Sequence, residues 1–100
     1  MNWLKKLLNQ GLDTFKQDVV REIDRAMGKL NSGETVGQVV TELQRAVAGL
    51  VAKAKLPPPL GTILVSLLLV VDWSGLLAKP AGDVVAELAR LRAKVLGARL

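Results

Sequence analysis

The sequence predicts an all-α protein, a small bundle or extended helical subunit of three to four helices. Three observations carry that prediction. Apolar residues recur at helical spacing over long stretches, and turn-forming residues fall between those stretches. The hydrophobic half of the chain is almost entirely Leu, Val and Ala, with Trp3, Phe15 and Trp73 as the only aromatics. The one run dense enough to be a buried strand has no second strand candidate to pair with. One hundred residues suit a single domain, 1–100.

The first element is a long amphipathic helix over residues 3–30. Leu4, Leu8, Leu12, Phe15, Val19, Ile23, Ala26 and Leu30 step by four or three residues. The steps form an eleven-residue repeat that keeps one stripe on a nearly straight helix. Trp3, Leu7, Val20 and Met27 widen the stripe into a face. Lys5, Lys6, Asp13, Lys16, Asp18, Arg21, Asp24 and Arg25 are read as the opposite, polar side. Asp13–Lys16, Asp18–Arg21 and Glu22–Arg25 have the i,i+3 spacing of local ion pairs. Asn31-Ser32-Gly33 is the stop signal.

A Thr35-x-x-Gln38 capping box then opens a second helix over 36–55. Its seam is Val36, Val40, Leu43, Val47, Leu50 and Ala54, and Pro57-Pro58-Pro59 ends it, because Leu56 is pushed out of the α region. The third element lies in the apolar run of residues 60–78, LGTILVSLLLVVDWSGLLA, whose only charge is Asp72. It is either continuous over 62–78 or broken at 72–75, where Asp, Ser and Gly favour a turn or cap. The fourth helix, 84–97, follows the Lys79-Pro80-Ala81-Gly82 linker, with Asp83 as the predicted N-cap and Val84, Leu88, Leu91 and Val95 as its seam.

Composition removes whole classes of function. There is no Cys, His or Tyr, so disulfides, thiolate metal sites and histidine chemistry are absent. Ser32, Ser66 and Ser74 have no histidine to activate them, and no nucleophile elbow, phosphate loop or dinucleotide fingerprint occurs. Asp18 and Glu22 lie one turn apart, but Arg21 and Arg25 beside them read as an ion-paired surface rather than a cation site. The expectation is therefore a protein that is not an enzyme, with no catalytic residue, metal or cofactor.

What remains is interaction. The mean hydropathy of +0.31 is high for so short a chain, and it calls for a bilayer, an oligomer or a partner to cover the excess. Three sets of residues are candidates. Leu60, Ile63, Leu64, Leu67, Leu68, Val71 and Trp73 would form a membrane or assembly core. Nineteen helical residues reach roughly 28 Å, close to the ~30 Å of a hydrocarbon core. Trp3, Leu4, Leu8, Leu12, Phe15, Val19, Ile23 and Leu30 would form an amphipathic interaction face, and the Trp3-Leu4-Lys5-Lys6-Leu7-Leu8 opening has the makeup of a segment lying in a headgroup layer. Arg90, Arg92, Lys94 and Arg99 would contact an anionic partner. Asp72 reads either as an intramembrane carboxylate or as a surface cap. The net charge of +5 is spread along the sequence, and positive-inside counting leans only slightly to a cytoplasmic carboxyl end.

In size and pattern, a short basic chain with amphipathic helices around one apolar run is similar to small phage membrane and structural proteins, without a motif by which residues carry over. The expected function is a non-enzymatic structural or assembly protein, acting as an oligomer or as a subunit of a larger complex. Two alternatives stand beside it: a holin-like, membrane-active protein inserting residues 60–78, and a basic accessory protein binding nucleic acid. Self-association or other protein subunits are the expected partners, with a membrane next and nucleic acid last, and no small-molecule substrate is evident. The expected location is at a membrane or within a larger assembly, with no secretory signal, because Leu7-Leu8 runs at once into Asn9-Gln10.

Overall fold

The computed structural model describes residues 2–54, 62, 66, 68 and 71–97, with the side chains at 2, 4, 5, 7–9 and 54 outside that description. Its described residues are helical or turn, with no strand among them. The helices are α1 (Asn2–Asn31), α2 (Val36–Ala54), α3 (Trp73–Leu77) and α4 (Ala81–Gly97). α1 packs against both α2 and α4, and α2 packs against α3. The protein measures 48 × 19 × 18 Å. The long dimension is that of α1 itself, since thirty helical residues reach about 45 Å.

α1 ends in a glycine-dependent cap. Gly33 sits at φ +92°, a conformation that only glycine enters without strain. The Glu34 N–H then donates to the Lys29 carbonyl and the Gly33 N–H to the Leu30 carbonyl, both at 3.1 Å. This is the Schellman pattern, and it satisfies carbonyls that the helix end leaves open. The reversal lays α2 antiparallel on α1, with Lys29 meeting Glu42 at 2.7 Å. At the start of α2 the Thr35 carbonyl accepts from Val39 at 3.0 Å. The Gln38 amide turns forward to Glu42 at 3.5 Å instead of reaching back to complete the capping box.

The core is the meeting of three stripes. α1 contributes Leu12, Phe15, Val19, Ile23, Ala26 and Leu30, α2 contributes Val39, Val40, Leu43 and Val47, and α4 contributes Val84, Leu88, Leu91 and Val95. Leu12, Ile23 and Val84 are fully buried. At ~1.5–3 kcal/mol for each large apolar side chain taken from water, these stripes are the main force holding the helices together.

α4 begins at Ala81, two residues before Asp83. The Pro80 carbonyl accepts from Val84 at 3.1 Å, so Pro80 holds the capping position expected of Asp83, and Asp83 lies inside the first turn. The fixed φ of proline suits a helix entry, and an acid in the first turn favours the dipole.

The apolar run is not one helix. The chain leaves helical geometry at Val71 and Asp72, and Asp72 starts α3 as its N-cap at φ −83°, ψ 81°. Among the described residues no helix is long and apolar enough to cross a membrane. Leu68 and Leu76 are buried in the same core as the long helices, and Val71 and Trp73 are half-buried against it. Leu60, Ile63, Leu64 and Leu67 lie outside the described residues.

Candidate interaction surfaces

Asp72 is an exposed cap. Its Oδ1 accepts the Gly75 N–H at 2.9 Å, which satisfies one of the open donors of α3. A Cβ on Gly75 would stand 2.3 Å from the Asp72 Oδ2, so the glycine is what lets the carboxylate lie over the turn. Asp72 therefore serves the local backbone at the start of α3.

The basic residues of α4 are largely engaged. Arg92 donates through Nε to Asp24 Oδ1 on α1 at 2.9 Å. Arg90 pairs with Glu87 one turn earlier, and Lys79 reaches the same carboxylate at 3.7 Å. Lys94 is exposed, and Arg99 lies outside the described residues. Asp72, Lys79, Glu87, Arg90 and Lys94 rim an open cleft of about 170 Å³ between α3 and α4, floored by Leu76, Leu88 and Leu91. A second cleft, of about 190 Å³, separates α1 from α2 and is lined by Glu22, Arg25, Lys29 and Glu42. There the Lys29 ammonium, hydrogen-bonded to Glu42, titrates above its ordinary value. The same bond holds the Glu42 carboxyl below its own.

Neither cleft brings together a nucleophile and a base. Asp18 and Glu22 face Arg21 and Arg25 at 3.7 and 3.5 Å, and among the described residues no three carboxylates gather to hold a metal ion.

Two residues stand where the sequence did not place them. Lys16, read as part of the polar side, is only 3% exposed. Its Nζ donates to the Leu96 carbonyl at 2.6 Å and lies 3.9 Å from Asp13. The end of α4 docks there, and the ammonium fills one of the open carbonyl positions of that end. The signal was in the register: Leu12 and Val20, one turn to either side, are both buried. Trp3, read as part of the amphipathic face, is 65% exposed. It precedes Leu12 by nine residues, two and a half turns, and so stands on the opposite side of the helix. Of the rest of that face, Leu12, Phe15, Val19, Ile23 and Leu30 are spent on the internal core, and the side chains of Leu4 and Leu8 lie outside the description.

Large apolar side chains also remain at the surface on Leu77 and Leu96, 50% and 43% exposed. No family model, curated protein or solved structure matches the chain.

Proposed function

We propose that this chain is a non-enzymatic structural or assembly protein, working as an oligomer or as a subunit of a larger complex of the phage-like kind. The observation that carries the reading is its apolar excess. Half of the residues are hydrophobic, and the bundle leaves Leu77 and Leu96 at the surface after its core is filled. A second copy or another subunit covers that surface, together with whatever part of the apolar run 60–78 the internal core does not take up. The cleft chemistry supports the same reading, because its charged groups serve helix ends and helix pairs.

Light scattering on the purified protein, without detergent or partner, tests it. The expected result is a species of several copies, or one that forms on adding the partner. A compact monomer that stays soluble and monomeric as its concentration rises would remove the proposal. The holin-like alternative keeps the apolar composition of residues 60–78 in its favour, but it draws nothing from a chain that leaves helical geometry at Val71 and Asp72. A carbonate wash followed by flotation separates the two, since an inserted run stays with the bilayer.

A further inference from the structure

Trp3 is not part of the buried core. It is 65% exposed and shares its side of α1 with Gln10, Gln17 and Arg21, all exposed. The first turns of α1 also outrun their neighbours. α2 is nineteen residues long, about 28 Å, and folds back from residue 36. α4 ends with Leu96 against Lys16. About ten residues of α1, some 15 Å, therefore project past the ends of both long helices. The described side chains in that projection, Trp3, Lys6 and Gln10, are all exposed, and Leu12 is the first buried one among the described side chains.

Positive charge at this end belongs to α1 itself, which carries Lys5 and Lys6 and no acid from Asn2 to Leu12. α2 and α4 both run antiparallel to α1, but their carboxyl ends stop short of its start, Leu96 meeting Lys16 midway along α1. Lys53 lies in the last turn of α2 and Lys94 in the last turn of α4, where cations complement the helix dipole. Lys5 and Lys6 sit at the opposite kind of terminus, the amino end of α1, where no acid balances them in the first turn. Cations there oppose the dipole, so fold stability does not account for them. The acids Glu34, Glu42 and Glu87 lie away from it, interleaved with Lys29, Lys79 and Arg90. The start of α1 is thus a basic tip that carries an exposed tryptophan.

We propose that this tip is an anchor for an anionic lipid surface, with Trp3 seated at headgroup level and Lys5 and Lys6 on the lipid phosphates. Tryptophan prefers the membrane interface, and basic residues near an anionic leaflet each add binding that salt weakens. Leu4, Leu7 and Leu8 follow in the same turns, so the segment combines apolar and cationic residues as interfacial helices do. A nucleic-acid surface fits less well, because with Arg90 and Arg92 paired to carboxylates few cations are left to track phosphates. This proposal does not depend on the assembly reading above.

Flotation of the full chain with vesicles tests it, comparing phosphatidylglycerol–phosphatidylcholine vesicles with phosphatidylcholine alone. The expected result is binding to the anionic vesicles that falls as salt rises. The double substitution Lys5→Gln, Lys6→Gln should weaken it about thirty-fold. Trp3→Ser should weaken it too, while far-UV circular dichroism stays unchanged. In a Trp73→Phe background, or by an indole quencher if that variant does not fold, the emission of Trp3 should move to the blue on anionic vesicles. Equal binding to neutral vesicles would overturn the proposal, as would no binding at all. So would binding that survives all three substitutions, which would place the attachment elsewhere in the chain. If the substitutions abolish self-association or nucleic-acid binding and leave vesicle binding intact, the tip serves that partner and the lipid proposal fails.

Discussion

Replacing Lys16 with methionine should destabilise the bundle by about 1.5–3 kcal/mol. Methionine keeps an unbranched stem of similar length, so packing around the 3% exposed side chain is retained. What disappears is the ammonium that donates to the Leu96 carbonyl at 2.6 Å and stands 3.9 Å from Asp13. The range is that of a hydrogen bond made by a charged group, and its loss leaves the carbonyl at the end of α4 without this donor. At roughly 4–8 °C per kcal/mol for a domain of this size, a loss of 2 kcal/mol lowers the midpoint by about 8–16 °C. Thermal unfolding followed by far-UV circular dichroism reads this directly. Lys16→Ala should cost more, because the buried methylenes go as well, at ~0.8 kcal/mol each. A Lys16→Met protein as stable as the parent would refute the reasoning. The buried ammonium would then be no better than an apolar group of the same shape, as buried ion pairs sometimes prove.

Other expectations follow from the same geometry. Asp72→Ala should cost about 0.5–2 kcal/mol by removing the cap of α3. Gly75→Ala should destabilise the parent, because its Cβ collides with the Asp72 carboxylate, yet should be neutral or stabilising by ~1 kcal/mol once Asp72 is alanine; a double-mutant cycle in urea that shows no such change of sign dismisses the contact. Leu88→Ala, at a position 1% exposed, should cost about 2–5 kcal/mol in the same assay, and a smaller loss would mean that α4 is not part of the main core. The Lys29–Glu42 pair gives a pH signature. Glu42 is held below its ordinary 4.5, so its contribution is present above that pH and is lost as pH falls through the lowered value. Lys29 is held above its ordinary 10.5, so its contribution is present below that pH and is lost as pH rises through the raised value. Glu42→Gln should flatten that part of the acid limb, and an acid limb identical to the parent's would count against the pair.

The parts of the fold legible in the sequence are those that depend on one helix at a time. Val84, Leu88, Leu91 and Val95 are apolar at a 3.5-residue period, and all four are buried, because a helix can hide only one side. The same holds from Leu12 to Leu30 along α1. Gly33 marked the first reversal because a left-handed residue has few alternatives. What failed to show is what two segments decide together. Lys16 is polar by type, and only the arrival of Leu96, eighty positions later, makes its place a buried one. Trp3 is apolar by type, and counting it with Leu4 and Leu8 overlooked that it stands half a circle from Leu12. Asp83 is a good capping type, but the helix opens two residues earlier, where the Pro80 carbonyl accepts from Asp83 and Val84. That α2 and α4 stop short of the start of α1, leaving Trp3, Lys5 and Lys6 on a projecting end, is invisible in linear charge counting, since it arises from how the helices are stacked.

The placement of α4 against α1 also sets an order of events for a nascent chain. α1 and α2 meet across a short turn, so their hairpin closes quickly and can form as soon as Ala54 has emerged. The other side of α1 waits. Its contacts to α4 join Asp24 to Arg92 and Lys16 to Leu96, closures of sixty-eight and eighty residues. Until α4 has emerged, part of the α1 stripe has nothing to cover it. During that interval the hairpin is a sticky half-structure, open to a chaperone or to the α4 of a neighbouring copy. An exchange of α4 between two chains would reproduce the α1–α4 contacts described here, so the interface that closes one chain is also one that can join two.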